Sequence, residues 1–181
     1  MTTTTLMTAE ELMALPDDGC RYELIDGVLH RMSPSGIEAS AIAMRIGSRL
    51  NAFAFERRLG IVTGADGGYY FGRNPDTVRA PDIAFIRIDR LPPPAERQGY
   101  SSVIPDLAVE VVSPSDRERD VLDKVAFYLA KGVPLVWVVR PRPRTITVHY
   151  ADAQLVLHEA DVLDGADVLP GFYLPVADLF R

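Results

Sequence analysis

At 181 residues, with 48% hydrophobic and 24% charged residues, the chain has the make-up of one globular domain able to bury a full core, not of a disordered or fibrous protein. A single cysteine, Cys20, excludes an internal disulfide framework, and no apolar run approaches the ~20 residues of a membrane-spanning helix. The net charge of -6 opposes nonspecific attraction to nucleic acid, although acids gathered into a metal site would contribute to it without describing the rest of the surface.

Met1 to Pro16 contain no basic stretch leading into an apolar one, so no secretory signal is read and a cytoplasmic location is expected. Thr8-Ala-Glu-Glu11 has the spacing of a capping box ahead of Leu12, Met13 and Leu15, predicting a short helix that Pro16 ends. Arg21 to Ile25, Asp26-Gly27 and Val28 to Met32 read as a strand, a tight turn and a return strand. Glu23 lies on the first strand, where its position alone fits a solvent-facing carboxylate as well as a functional one. After Ser33-Pro34-Ser35-Gly36, the recurrence of Ile42, Ile46, Leu50 and Ala54 predicts a long amphipathic helix from Ile37. Its Arg45 and Arg49, with Arg57 and Arg58 beyond, offer phosphate contacts but equally suit a solvated face.

Gly60 to Gly72 suggests two strands joined by a glycine-rich turn, and Gly64-Ala-Asp-Gly-Gly68 lacks the Lys-Ser/Thr ending of a phosphate loop. Pro81-Asp82 opens a short apolar strand to Ile86, and the proline-rich stretch from Leu91 to Ser102 reads as a stiff surface loop bordering a cleft. Leu107 to Val112 reads as a central strand buried on both faces, followed by a helix over Asp116 to Lys131 whose cap is Ser115-Asp-Arg-Glu118. Val121, Leu122, Val125 and Leu129 form its expected inward face, with Lys124 and Tyr128 side by side at the margin. Leu135 to Val139, Thr145 to Tyr150 and Gln154 to His158 read as further strands, and Val168 to Arg181 as a closing turn with a last helical turn.

One residue does not fit this pattern. Glu110 sits inside the apolar run of the central strand, and a buried carboxylate costs several kcal/mol unless a positive or hydrogen-bonding group meets it. Asp106 shares its strand face but lies roughly 13 Å away, too far for both to bind one cation directly. Asp82, on a strand able to lie ~4.8 Å away, is the better partner, and the backbone carbonyl of Val111 is a further oxygen donor. The residues alone leave open a second reading, in which Asp82 caps a turn and Glu110 forms an ion pair with Lys124. Three scattered histidines give no zinc spacing, and Ser113 and Ser115 lie in no Gly-x-Ser-x-Gly context.

Tyr22-Glu-Leu-Ile-Asp-Gly27, Met32-Ser-Pro34, Pro81-Asp82, Glu110-Val-Val-Ser-Pro114, Lys124 with Tyr128, and Gly132-Val133 followed by Trp137 together resemble the Uma-two family of restriction-endonuclease-like proteins, and through it the PD-(D/E)-x-K nucleases. The resemblance implies a single α/β domain over residues 1–181, with a restriction-endonuclease-like mixed central sheet flanked by helices. It also implies Mg²⁺, with Mn²⁺ as a substitute, and hydrolysis of DNA phosphodiesters. Residue by residue, Asp82 and Glu110 match the metal-binding acids, with the Val111 carbonyl as a further oxygen donor, Glu23 matches an early acid, and Lys124 matches the basic residue. A homodimer is an expectation of the same reading, since cutting a duplex is served by two sites about a twofold axis. Two departures stand out. Val112 occupies the place where the parent motif carries lysine, so the charge has to come from the following helix, and Ala39 stands where many relatives have histidine. A nuclease fold without cleavage activity, binding DNA or protein, is the alternative.

Overall fold

The computed structural model describes residues 6–181; the part of the export-signal expectation that rests on residues 1–5 lies outside them. Its elements are α1 (Ala9–Met13), β1 (Arg21–Ile25), β2 (Val28–Met32), α2 (Ile37–Glu56), β3 (Gly60–Gly64), β4 (Tyr69–Gly72), β5 (Thr77–Arg79), β6 (Ile83–Arg87), β7 (Leu107–Val111), α3 (Glu118–Ala130), β8 (Leu135–Arg140), β9 (Thr145–His149), β10 (Gln154–Leu157), β11 (Val162–Gly165) and β12 (Leu169–Pro175). Among the described residues no helix is long and apolar enough to cross a membrane.

A six-stranded sheet in the order β10-β9-β8-β7-β6-β3 forms the centre, antiparallel except where β7 runs parallel to β8. Residues alternate faces along each strand. The face carrying Phe85, Leu107, Val109, Trp137 and Val139 packs on the Ile42, Ile46, Leu50 and Ala54 stripe of α2, while Ala84, Ala108, Val136 and Val138 meet Val121, Val125 and Tyr128 of α3. The parallel pair is joined through α3, as parallel neighbours require a crossover. A smaller sheet, β2-β1-β5-β4, carries the hairpin. There Asp26 and Gly27 both adopt positive φ, the backbone that a two-residue hairpin turn demands.

The capping box on α1 is present in both directions, Thr8 accepting from the Glu11 N–H and Glu11 from the Thr8 N–H. The two strands expected on either side of the glycine-rich turn are β3 and β4; β3 joins β6 in the large sheet and β4 joins β5 in the small one, so the turn carries the chain from one sheet to the other. Other expectations need correction. Arg117, not Ser115, is the N-cap of α3, and no side chain caps it. Asp116 instead accepts the Ser113 N–H at 2.7 Å, closing the β7-to-α3 loop. Leu122 is exposed, because the inward arc of α3 is centred on Val121, Val125 and Tyr128. The C-terminal segment contains the β11-β12 hairpin ahead of a 3-10 turn over Val176–Leu179, and its Phe172 stacks on buried Trp137.

Gly60 marks the closest approach between β3 and β6. A Cβ there would lie 2.0 Å from the Ile86 carbonyl oxygen and 2.7 Å from the Phe85 ring, both in fixed core positions. Gly60→Ala is therefore expected to lower stability by about 1–3 kcal/mol through forced backbone displacement. Urea denaturation checks this, and an unchanged midpoint would refute it.

Candidate active site

β7 and β6 hold Glu110 and Asp82 in place. The β6-β7 ladder ends at Ile83↔Val109, and Asp82 lies in a bend one residue beyond it, close enough to Glu110 for their charges to interact. Beyond it comes buried Pro81. Backbone groups alternate direction along a strand, so with the Val112 N–H bonded to the Val139 carbonyl on β8, those of Val111 face β6. Proline has no N–H, so position 81 offers no ladder donor to the Val111 carbonyl. The Val111 N–H goes to Asp82 Oδ2 at 2.8 Å. The end of the ladder thus exchanges a strand partner for a carboxyl group.

Glu110 is buried. Its Oε2 accepts from Lys124 Nζ at 3.0 Å and its Oε1 from the fully buried Tyr128 hydroxyl at 2.8 Å. Lys124 and Tyr128 are four apart on α3, one turn and the same face, so a single helix supplies both donors. Glu23 is also buried; its Oε1 accepts from the Ala80 N–H at 3.1 Å.

The charges act on one another. Burial and then the neighbouring Glu110 charge push the Asp82 carboxyl up to about 6, against the partial relief of the Val111 N–H, Lys124 and Arg21. For Lys124, burial works to lower the pKa, but Glu110, Glu23 and Asp82 outweigh it and hold the ammonium above its usual value. Burial, with Glu110 and Glu23, raises the Tyr128 phenol well above its ordinary value, so it acts as a hydrogen-bond donor.

Asp82, Glu110, Val111 and Lys124 line one pocket of about 220 Å³, together with Arg21, Arg31 and the segment Ser33-Pro34-Ser35. Glu23 faces a neighbouring cavity of about 450 Å³, which it shares with Glu110 and Lys124. The structure therefore brings Asp82, Glu110 and Lys124 together, with Glu23 acting on Lys124 through its charge. No group of three or more His, Cys, Asp or Glu side chains converges on one metal position among the described residues.

Both contacts of the simpler alternative exist, since Asp82 does accept a backbone N–H and Glu110 is paired with Lys124. Asp106 is accounted for structurally: it accepts the Arg87 N–H and pairs with Arg90. The proline-rich loop borders a different cavity, with Tyr69 and Tyr100. The helix arginines do not line the acid pocket: Arg45 donates to the Leu179 carbonyl and Arg57 covers the Phe53 ring. Arg21 and Arg31, given no role by the sequence, do line it. A signal for Arg21 was present, because i and i+2 on a strand share a face and Arg21 stands two residues before Glu23.

The family model described as "Putative restriction endonuclease", Uma2, matches residues 9–177. Among solved structures, the chain is similar to one described as a putative nuclease belonging to DUF820 from Anabaena variabilis. The two are 22% identical with a TM-score of 0.80, over 96% of this chain and 97% of that one. No curated protein matches.

The raised Asp82 carboxyl has a direct consequence for stability. With a folded pKa of about 6 against an ordinary 3.8, the folded state binds more protons than the unfolded one between these values. Stability of the metal-free protein therefore falls as pH rises through that window, by up to about 3 kcal/mol from this group. Asp82→Asn should be more stable than wild type at pH 8 and level with it below pH 4 in chelator, as read by chemical denaturation. A variant less stable at both pH values would show that Asp82 is held chiefly by its backbone bond.

Proposed function

The chain belongs to the Uma2 family, and from the buried pocket that sets Asp82 beside Glu110 and Lys124 we propose that it is a metal-dependent endonuclease hydrolysing DNA phosphodiester bonds. The observation that carries this reading is the half-buried Asp82 carboxyl, held next to the buried Glu110 and pushed up to about 6. An ion pair and a turn cap alone give no reason to bring two acids together away from bulk water, whereas a cation between them removes the repulsion.

The donors fit a small divalent ion. Mg²⁺ takes one or two carboxylates and keeps several waters, so Asp82, Glu110 and the Val111 carbonyl would hold it without a third acid, and Mn²⁺ would accept the same donors. Glu110 retains lone pairs for this, since each carboxylate oxygen carries two and the bonds from Lys124 and Tyr128 occupy one apiece. When bound, the ion would supply Lewis-acid polarisation of a phosphoryl oxygen and a lowered pKa for a bound water.

The remaining work falls to the protein's own groups. Tyr128 fixes the Glu110 carboxylate in one orientation. Glu23 helps keep Lys124 charged, so its ammonium would stabilise the negative charge that builds on the phosphoryl oxygens in the transition state. One such site suffices to nick or to cut a single strand; cutting both strands of a duplex would take two copies about a twofold axis.

Purified protein with Mg²⁺ or Mn²⁺ is expected to cut plasmid or single-stranded DNA, and chelator to stop it. Asp82→Asn and Glu110→Gln should be folded and inactive, and Glu110→Gln should lose the rise in melting temperature that Mg²⁺ gives the wild type. Lys124→Ala should keep that rise while cleavage falls by about 10²–10³-fold. Cleavage unchanged in the Asp82 and Glu110 variants would rule the assignment out. The observation favouring a binding module is that both Glu110 oxygens are already bonded within the protein. DNA binding that survives these substitutions, with no metal-dependent cutting, would select that reading.

A further inference from the structure

A cavity of about 690 Å³ opens beside Asp82. Asp82, Val111, Arg21 and Arg31 line both this cavity and the smaller acid pocket, so the two are continuous at the position proposed for the phosphate to be cut. The volume falls in the ~300–1,000 Å³ range of small-molecule sites, well beyond a water or a bare phosphate.

Its walls divide by chemistry. One side is the opening of α2, where Ala39 and Ala43, four residues and one turn apart, present single methyl groups beside Met32 and Pro34. Ile42, Ile46 and Leu50, the larger side chains of the helix, fill the core that Ala39 also joins and Ala43 packs against. The same cavity is lined by two guanidinium groups, those of Arg21 and Arg31. Neither is bonded to Asp82 or Glu110: Arg21 donates to the Ala65 carbonyl at 2.7 Å and sits 3.4 Å from the exposed Asp66, while Arg31 contacts Cys20 Sγ. Two arginines in a cavity lined by small apolar side chains and by Ser33, Ser35 and Ser40 suit a ligand with an anionic end and a flat body that is part apolar and part hydrogen-bonding. Arginine is apt for both parts, since it binds phosphate through its fork and stacks on a base through its plane.

Resting on the nuclease reading, we propose that this cavity is a nucleotide subsite: it takes one unstacked nucleoside next to the phosphate to be cut, with Arg21 and Arg31 on that nucleotide's phosphate. The enzyme accordingly acts on single-stranded or locally unpaired DNA in preference to continuous duplex. A base inside an intact helix has to leave the stack to enter, which costs a few kcal/mol, whereas a single strand or a mismatch gives it up at little cost.

The test compares three labelled oligonucleotides, single strand, perfect duplex and the same duplex with one mismatch, binding the cleavage-deficient Asp82→Asn protein in Mg²⁺. Single strand and mismatch should bind about tenfold or more tighter than perfect duplex. Ala43→Phe, which fills the cavity, should bring single-strand affinity down to the duplex level. Arg31→Ala, a change at an exposed residue that leaves the melting temperature in place, should weaken single-strand binding about tenfold, the loss of one charge-assisted contact. Equal affinity for single strand and duplex overturns the subsite, as does single-strand binding unchanged in the Arg31 variant and in a folded Ala43 variant. Wild-type cleavage separates the two readings. Equal metal-dependent cutting of single strand and duplex overturns the subsite and leaves the nuclease standing; selective single-strand binding without any cutting overturns the nuclease and leaves the cavity's ligand class.

Discussion

A carboxylate on an inner strand covered on both faces can persist only if the neighbouring layer meets it, and Glu110 imposes this condition on the fold. α3 answers from one face, with the Lys124 ammonium on one oxygen and the Tyr128 hydroxyl on the other. The apolar contacts of Val121 and Val125 would tolerate small slides of the helix over the sheet; two directional bonds to one carboxylate do not. A buried ion pair is often no more stabilising than apolar residues of the same volume, because desolvation offsets the attraction. The arrangement is therefore better understood as fixing the position of α3 than as adding stability. It also explains how the positive charge can sit on the helix when Val112 takes the strand position: a long lysine side chain reaches over the sheet from the next layer to the same carboxylate.

The second constraint is the end of the β6-β7 ladder. Pro81 cannot continue it, and Asp82 takes over the Val111 N–H with its side chain. The Pro81-Asp82 pair thus ends the strand pairing and brings a carboxyl group near Glu110, so the local break in the sheet and the assembly of the acid pair have one cause. The pair is unfavourable in isolation, as the raised Asp82 carboxyl shows. A fold selected for stability alone would have little reason to keep it.

Much of this was legible in the sequence because the relevant signals are local. Asp-Gly between alternating strands gave the β1-β2 hairpin, the four-residue recurrence gave α2, and a single charge in an apolar run singled out Glu110. The choice of Asp82 over Asp106 followed from strand spacing; Asp106 is taken up by an ion pair with Arg90. What was not legible depended on distant partners. β5 is three residues long and is a strand only because β1 and β4 flank it. The turn between β3 and β4 was legible, but not that it carries the chain between sheets, with β3 pairing with β6 and β4 with β5. Ser115 had the spacing of a cap, but the Asp116 bond to Ser113 holds that loop in another shape. Surface arginines on a hairpin are common, so Arg31 carries no signal in the sequence and Arg21 only its place two residues before Glu23; the folded chain brings both to the rim of the acid pocket.

That placement also reconciles a net negative protein with an anionic ligand. The charges around the acid centre are not evenly spread. On the side of α3, Glu23, Glu110, Asp116, Asp120 and Asp123 line the cavity against Arg31, Arg79 and Lys124, an acidic excess. On the side of α2, Asp82 is the one acid lining the cavity, against Arg21 and Arg31. A chain of net charge -6 has weak general attraction for a phosphate backbone. Over a few ångströms the local sign governs, because charges beyond a Debye length of about 8 Å are screened at physiological salt. A polyanion is therefore favoured on the α2 side and opposed on the α3 side. For the proposed nuclease activity this would give the site a direction, with a phosphate backbone entering over the hairpin arginines and ending at Lys124, the cation that Glu110 and Glu23 help keep charged.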